Sequence, residues 1–309
     1  MMEHSDQVEM QQSVSRELRC SSSGFAEIRQ RVVQLNNVGL SLLSSKNFEA
    51  ALIYFNNAFQ IVTAVGTELL ESEYDFISAD TCEELTGMFD KRPEIAEDFS
   101  TPMVLTCEGS PKSSEDAEAW ILLASTTLMF NGALGHMSLK KLDKAEQLLQ
   151  TATVLAEDFE DEHDYDECKP DAIRRNVHIK ATLLATYSVL AHVVLQITTV
   201  NREGQTERRV MEGLESLRQS LDISLEILGD KHFATARIYV LIGQVLINEG
   251  YTQQAWLSFQ NALRIYNQPH LPVTSHNVSG VDGRADFMSD IENSSRLLGQ
   301  GWSYGAPTA

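Results

Sequence analysis

The sequence predicts an all-α fold built from helical hairpins laid side by side. Three observations carry that expectation. Apolar residues recur at three- and four-residue spacing through most of the chain, and strand alternation is absent. One stretch, "NFEAALIYFNNAF" (47–59), also returns in altered form as "LDKAEQLLQTATV" (142–154) and "YTQQAWLSFQNAL" (251–263). A recurring amphipathic helix points to a repeated unit that cannot bury its apolar side alone and must stack on its neighbours.

Taken in order, residues 1–24 are polar and rich in Ser and Gln, which predicts a disordered arm. Val33, Val38 and Leu42, then Leu52, Phe55 and Phe59, mark two helices separated by a turn at "SSKN" (44–47). Residues 67–114 hold twelve Asp/Glu against three Lys/Arg, with Pro93, Pro102 and Pro111, and read as a long acidic insertion. Ser113 followed by Asp116 has the form of a capping box ahead of the helix "AEAWILLASTTLMFNGALGHMSL". A second helix covers 143–156. It runs into "EDFEDEHDYDE" (157–167), with eight acids and no basic residue. Pro170 and Asp171 restart the chain into "AIRRNVHIKATLLATYSVLAHVVLQI". After a polar loop comes "VMEGLESLRQSLDISLEIL", which Gly229 ends as a left-handed cap would. "ATARIYVLIGQVLINEG" and "YTQQAWLSFQNALRIYN" form the last pair, and residues 269–309 read as a flexible tail.

Superimposing the hairpins brings small residues into phase. Gly39 and Ala51, Ala133 and Ala145, and Gly243 and Ala255 are each twelve positions apart. Phe55 and Ala58, Leu149 and Ala152, and Phe259 and Ala262 follow at matched places. The third pair has Ala191 and Gly213, with about ten further residues in its turn. Amphipathicity alone does not require such matching, whereas close approach of two helices at a repeated place does. Phe55 and Phe259 are expected to fill the gap between one hairpin and the next.

This pattern resembles the tetratricopeptide repeat, a helical hairpin whose signature runs W-x2-L-G-x2-Y, then A-x3-F, then a further small residue. The resemblance covers about 30–66, 117–157, 178–228 and 231–267 within a repeat domain of 25–268. The signature Trp is absent throughout. "LNNVG" (35–39) and "ILGDKH" (227–232) are also similar to the repeats of kinesin light chains. The family implies an α-α superhelical solenoid with a concave face that takes up a partner's peptide or helix. Its groove positions correspond here to Asn36, Asn37 and Leu40, to Phe130, Asn131 and Leu134, to Ser188 and His192, and to Val240 and Gln244. In the family an Asn at the position of Asn37 and Asn131 can hold a peptide backbone amide or carbonyl. His136 falls where the repeat places an aromatic, and there it is expected as a hydrogen-bonded inter-helix residue.

Composition narrows the function classes. A net charge of −20 opposes nucleic-acid binding and an anionic membrane surface, and it fits a partner with a basic segment. No apolar run approaches the roughly 18 residues of a membrane span. Cys20, Cys82, Cys107 and Cys168 lie far apart with no CxxC pair, which fits reduced thiols in the cytoplasm, with the nucleus open. "EDEHDYDEC" (160–168) lacks the Gly and terminal Glu of a calcium loop and reads as a solvated linker, so no metal is expected. No phosphate-binding, hydrolase or zinc-protease motif is present, so neither a cofactor nor an enzyme is expected. The expected role is therefore a non-enzymatic scaffold for protein–protein interaction. The alternatives are a self-assembling structural subunit of unspecified oligomeric state and an enzyme with its site in the 67–114 insertion.

Overall fold

The computed structural model describes residues 22–71, 93, 99–106, 111, 114–162, 170–200 and 206–267. Among them are eight α-helices and no strand. They are α1 (Ser22–Ser44), α2 (Phe48–Glu71), α3 (Ser114–Ser138), α4 (Leu142–Glu162), α5 (Pro170–Val200), α6 (Thr206–Ile227), α7 (Phe233–Asn248) and α8 (Thr252–Tyr266). Each helix packs on the next in the chain, and α3 also touches α1 and α5. Residues 1–21, the C-terminal tail, all four cysteines, the Ser113 cap and much of the two acidic stretches lie outside the described residues, whereas 22–24, 67–71 and 157–162, expected as arm, insertion and linker, extend the neighbouring helices instead.

The hairpins meet through the small residues. Ala51, Ala58, Ala133, Ala145, Ala255 and Ala262 are wholly buried. A Cβ added to Gly39 would lie 2.4 Å from Cε1 of Phe55, and one added to Gly243 would lie 2.7 Å from Cε1 of Phe259. Each phenylalanine therefore lies over the glycine of its own hairpin, sixteen positions earlier in both cases. Within the third pair, a Cβ on Gly213 would meet Leu195 and the Ala191 carbonyl. The expectation that Phe55 and Phe259 fill the space between hairpins is corrected to this extent. The absent side chain of glycine leaves a hollow on its own partner helix, and the ring takes it.

Three turns share one backbone pattern. Lys46, Lys140 and Gly250 adopt positive φ, at 63°, 59° and 83°. Each sits seven positions after Gly39, Ala133 or Gly243. The amides of Lys46, Lys140 and Gly250 donate to the carbonyls of Leu43, Met137 and Ile247. The next amides, of Asn47, Lys141 and Tyr251, reach back to Leu42, His136 and Leu246. This pair of bonds closes the orphaned carbonyls at a helix C-terminus. The following helix opens the same way each time, with Ala51, Ala145 and Ala255 donating to the carbonyls four residues earlier. Gly229, at φ 86°, ends α6 as its sequence position predicted, and the His232 imidazole then accepts from the Ala234 amide to open α7.

Ion pairs tie helices that are not chain neighbours. Arg175 on α5 meets Asp116 at 2.7 Å and Glu115 at 2.6 Å, both in the first turn of α3. Arg209 on α6 meets Glu146 on α4 at 2.8 Å. Each pair joins residues near the starts of its two helices. Within α5, Ala172–Ile197 is long and apolar enough to cross a membrane by length and composition, which the sequence reading did not expect. Its neutral Thr, Ser, His and Gln residues leave such a segment apolar on average. Of its most apolar window, 67% is buried inside the fold.

His136 corrects an expectation. It is half-buried, but its buried Nδ1 has no hydrogen-bond partner among the described residues. Burial, and then Lys144 and Lys141, hold its pKa below the ordinary histidine value. The unfolded chain therefore takes up a proton at a pH where the folded chain does not. Stability is unaffected above the unfolded pKa and falls as pH drops through it. Replacing His136 with Phe should flatten that acid-side loss, read as melting temperature between about pH 7.5 and 5. A second outcome concerns the turns. A non-glycine residue at positive φ carries a backbone cost, so Lys46→Gly and Lys140→Gly should each raise unfolding free energy by roughly 0.5–1 kcal/mol in urea titrations.

Candidate functional site

The side chains that α1 and α3 place against each other form a buried polar site. The two helices run parallel and in register. Phe25 on α1 meets Trp120 on α3 edge to face at 5.8 Å. Eleven residues further along each helix, the Asn131 amide nitrogen donates to Asn36 Oδ1 at 3.0 Å. Between these points the buried Arg29 lies 5.4 Å from the Trp120 ring centroid and 6.0 Å from that of Phe25. A guanidinium at this range is drawn to the negative ring faces.

Residues 99–106, towards the end of the predicted acidic insertion, lie over this seam. Their sequence is "FSTPMVLT". Pro102 fixes its own φ and keeps Thr101 out of the helical region, so the chain leaves the turn at 99–100 and runs without helix over 102–106. Side chains then alternate: Met103 packs on the core, Val104 is 67% exposed and Leu105 is buried again. Phe99 is buried at the other end. Thr127 approaches the Met103 sulfur at 4.0 Å, and Trp120 Nε1 makes a long 3.5 Å contact to the Thr106 carbonyl. The segment thus runs opposite to α3, from the level of Asn131 to that of Trp120.

Asn131 is the anchor. The Met103 amide donates to Asn131 Oδ1 at 2.8 Å, and Asn131 Nδ2 donates to the Met103 carbonyl at 2.8 Å. A carboxamide carries a donor and an acceptor spaced like a peptide group, so one side chain pairs both backbone groups as a neighbouring strand would. The network also fixes the amide's orientation. The Met103 amide can only donate and its carbonyl can only accept, which leaves the second Nδ2 hydrogen for Asn36. Asn36 is then left with its own Nδ2 buried and without an acceptor among the described residues.

The residues expected to line a groove divide into two groups. Asn36 and Asn131 are fully buried and come together as described, and Leu134 is buried near them. Leu40 and Gln244 are partly exposed, and Asn37 and His192 are exposed, with His192 Nε2 2.8 Å from the Gln196 amide nitrogen. Phe130 and Val240 are buried in the core. Ser188 is committed to α6, through a 2.6 Å bond to Ser220 beside the Leu184 carbonyl. Sequence reasoning missed Met103 and Trp120. The available signal was an apolar run, "PMVL", inside a stretch otherwise marked by acids. Among the described residues no group of three or more His, Cys, Asp or Glu is placed to hold a metal.

A comparison with protein-family models finds no match, and a search of curated proteins finds no relative at a significant level.

Asn131→Ala would strip three partners at once: the Met103 amide, the Met103 carbonyl and Asn36 Oδ1. It should lower unfolding free energy by about 2–4 kcal/mol. It should also speed hydrogen exchange at the Met103 amide by at least about tenfold while leaving α7 and α8 amides unchanged. Equal exchange at Met103 in both proteins would contradict the assignment.

Proposed function

We propose that the chain is a non-enzymatic scaffold of tetratricopeptide type, an α-solenoid that holds an extended partner segment against its first helix of each hairpin. One observation carries this reading. Asn131 pairs both backbone groups of an extended segment lying along α3. The in-phase glycines and alanines, the shared turn geometry at Lys46, Lys140 and Gly250, and the packing of α3 against both α1 and α5 support it. Recognition through the backbone gives affinity without demanding a particular sequence, and the side chains that alternate inward set the preference. The exposed Asn37 and His192, with Gln244, extend the same set of positions along the other hairpins.

The net charge of −20 favours a partner whose segment is flanked by basic residues. We assign the scaffold to the cytoplasm or nucleus, with neither nucleic acid nor membrane as its target.

Selection of a displayed random-peptide library on the intact chain tests the proposal. Selected peptides should bind one to one, weaken as ionic strength rises, and lose at least about tenfold in affinity to the double variant His192→Ala, Gln244→Ala. Binders indifferent to that variant would overturn the groove reading, and affinity unchanged by salt would overturn the basic partner.

A further inference from the structure

We infer that residues 99–106 are a displaceable internal occupant of the α1–α3 seam. The segment that replaces them in trans is an extended peptide with large apolar side chains at the places of Phe99, Met103 and Leu105. This rests on the scaffold reading and names the chemistry of the partner.

The segment is held in the way a separate peptide would be. Its central anchor, the pair of bonds from Asn131 to Met103, uses only groups that every peptide backbone has. Its inward side chains are Phe99, Met103 and Leu105, and its outward Val104 faces water. Its bonds to Asn131 and Trp120 are made by its own backbone groups. The seam therefore recognises an extended backbone and an apolar spacing of four and then two, not this sequence alone.

The internal occupant is also an imperfect fit. Asn36 Nδ2 is buried beside Asn131 without an acceptor among the described residues. Pro102, next to the anchor, brings no amide hydrogen. A competing peptide that brings a carbonyl to Asn36 gains roughly ten- to a hundredfold in affinity over one that leaves the donor bare. Tethering works in the other direction. A segment joined to the fold at both ends acts at an effective concentration in the millimolar range, so a weaker contact holds the seam until a better one arrives. The result is a threshold. Peptides that merely equal the internal segment are excluded, and those that satisfy Asn36 or engage further hairpins displace it.

The test uses the full chain with protease sites placed within 94–98 and 107–110, which leaves residues 99–106 and the helices α1 and α3 unchanged in sequence. Cutting both sites in the folded protein converts 99–106 into a free peptide. The probe is a fluorescent peptide of sequence FSTPMVLT. The cut chain should keep its helical circular dichroism and take up one probe saturably, at least about tenfold more tightly than the uncut chain. Asn131→Ala should abolish uptake, as should a probe with Ser in place of its Phe, Met and Leu. Loss of helix on cutting, or no uptake by a cut chain that stays folded, overturns the inference. If the cut chain refuses the probe while library-selected peptides still bind in a His192- and Gln244-dependent way, the scaffold reading survives alone. If neither binds, both fall.

Discussion

At Gly39 and again at Gly243, the backbone of the first helix in a hairpin lies so close to a phenylalanine of the second that no side chain fits between them. That contact sets the distance between paired helices. The wholly buried alanines at 51, 133, 145 and 255 repeat the condition from either side. Once two helices are held this close, the turn joining them has little freedom, and three of the turns accordingly use the same reversed bonds and the same left-handed residue. Two of those residues are lysines. The packing therefore overrides a local backbone preference that would have chosen glycine.

The close pairing has a consequence at the next level. Helices α1 and α3 are each backed by their own partner, and they run parallel with facing residues one position off the repeat equivalence. Asn36 and Asn131 meet because of that register, as do Phe25 and Trp120. A buried carboxamide beside an apolar seam is costly unless paired, and an extended backbone can meet both halves of its hydrogen-bonding capacity. The polar site is thus a product of the stacking and not of any local motif.

Most helices were legible from apolar periodicity, α3 instead from a long apolar run, and their breaks are marked by Gly229, Pro170 and the polar "SSKN". The small-residue phase was legible because Gly39 and Gly243 stand in otherwise good helix sequence, where a glycine needs a reason. The left-handed turns at Lys46 and Lys140 were not, since lysine carries no signal for positive φ. Asn131 was singled out by its repeat position. Its two partners were not visible, because Met103 lies in a stretch dominated by acids and Asn36 is 95 residues away. Ser188 and Val240 occupy expected groove positions but are spent on inter-helix contacts, a distinction that only the packing reveals.

The close approach of the paired helices is tested most directly by a double-mutant cycle. In an unconstrained helix, Gly→Ala gains up to about 1 kcal/mol. Against a fixed ring, the added methyl costs about 1–3 kcal/mol through overpacking. Urea unfolding of Gly39→Ala and Gly243→Ala should therefore show destabilisation in both. Combining each with Phe55→Leu or Phe259→Leu should recover part of the loss, because the smaller side chain makes room for the new methyl. Stabilisation by either alanine, or strict additivity in the cycle, would contradict the contact and the stacking derived from it.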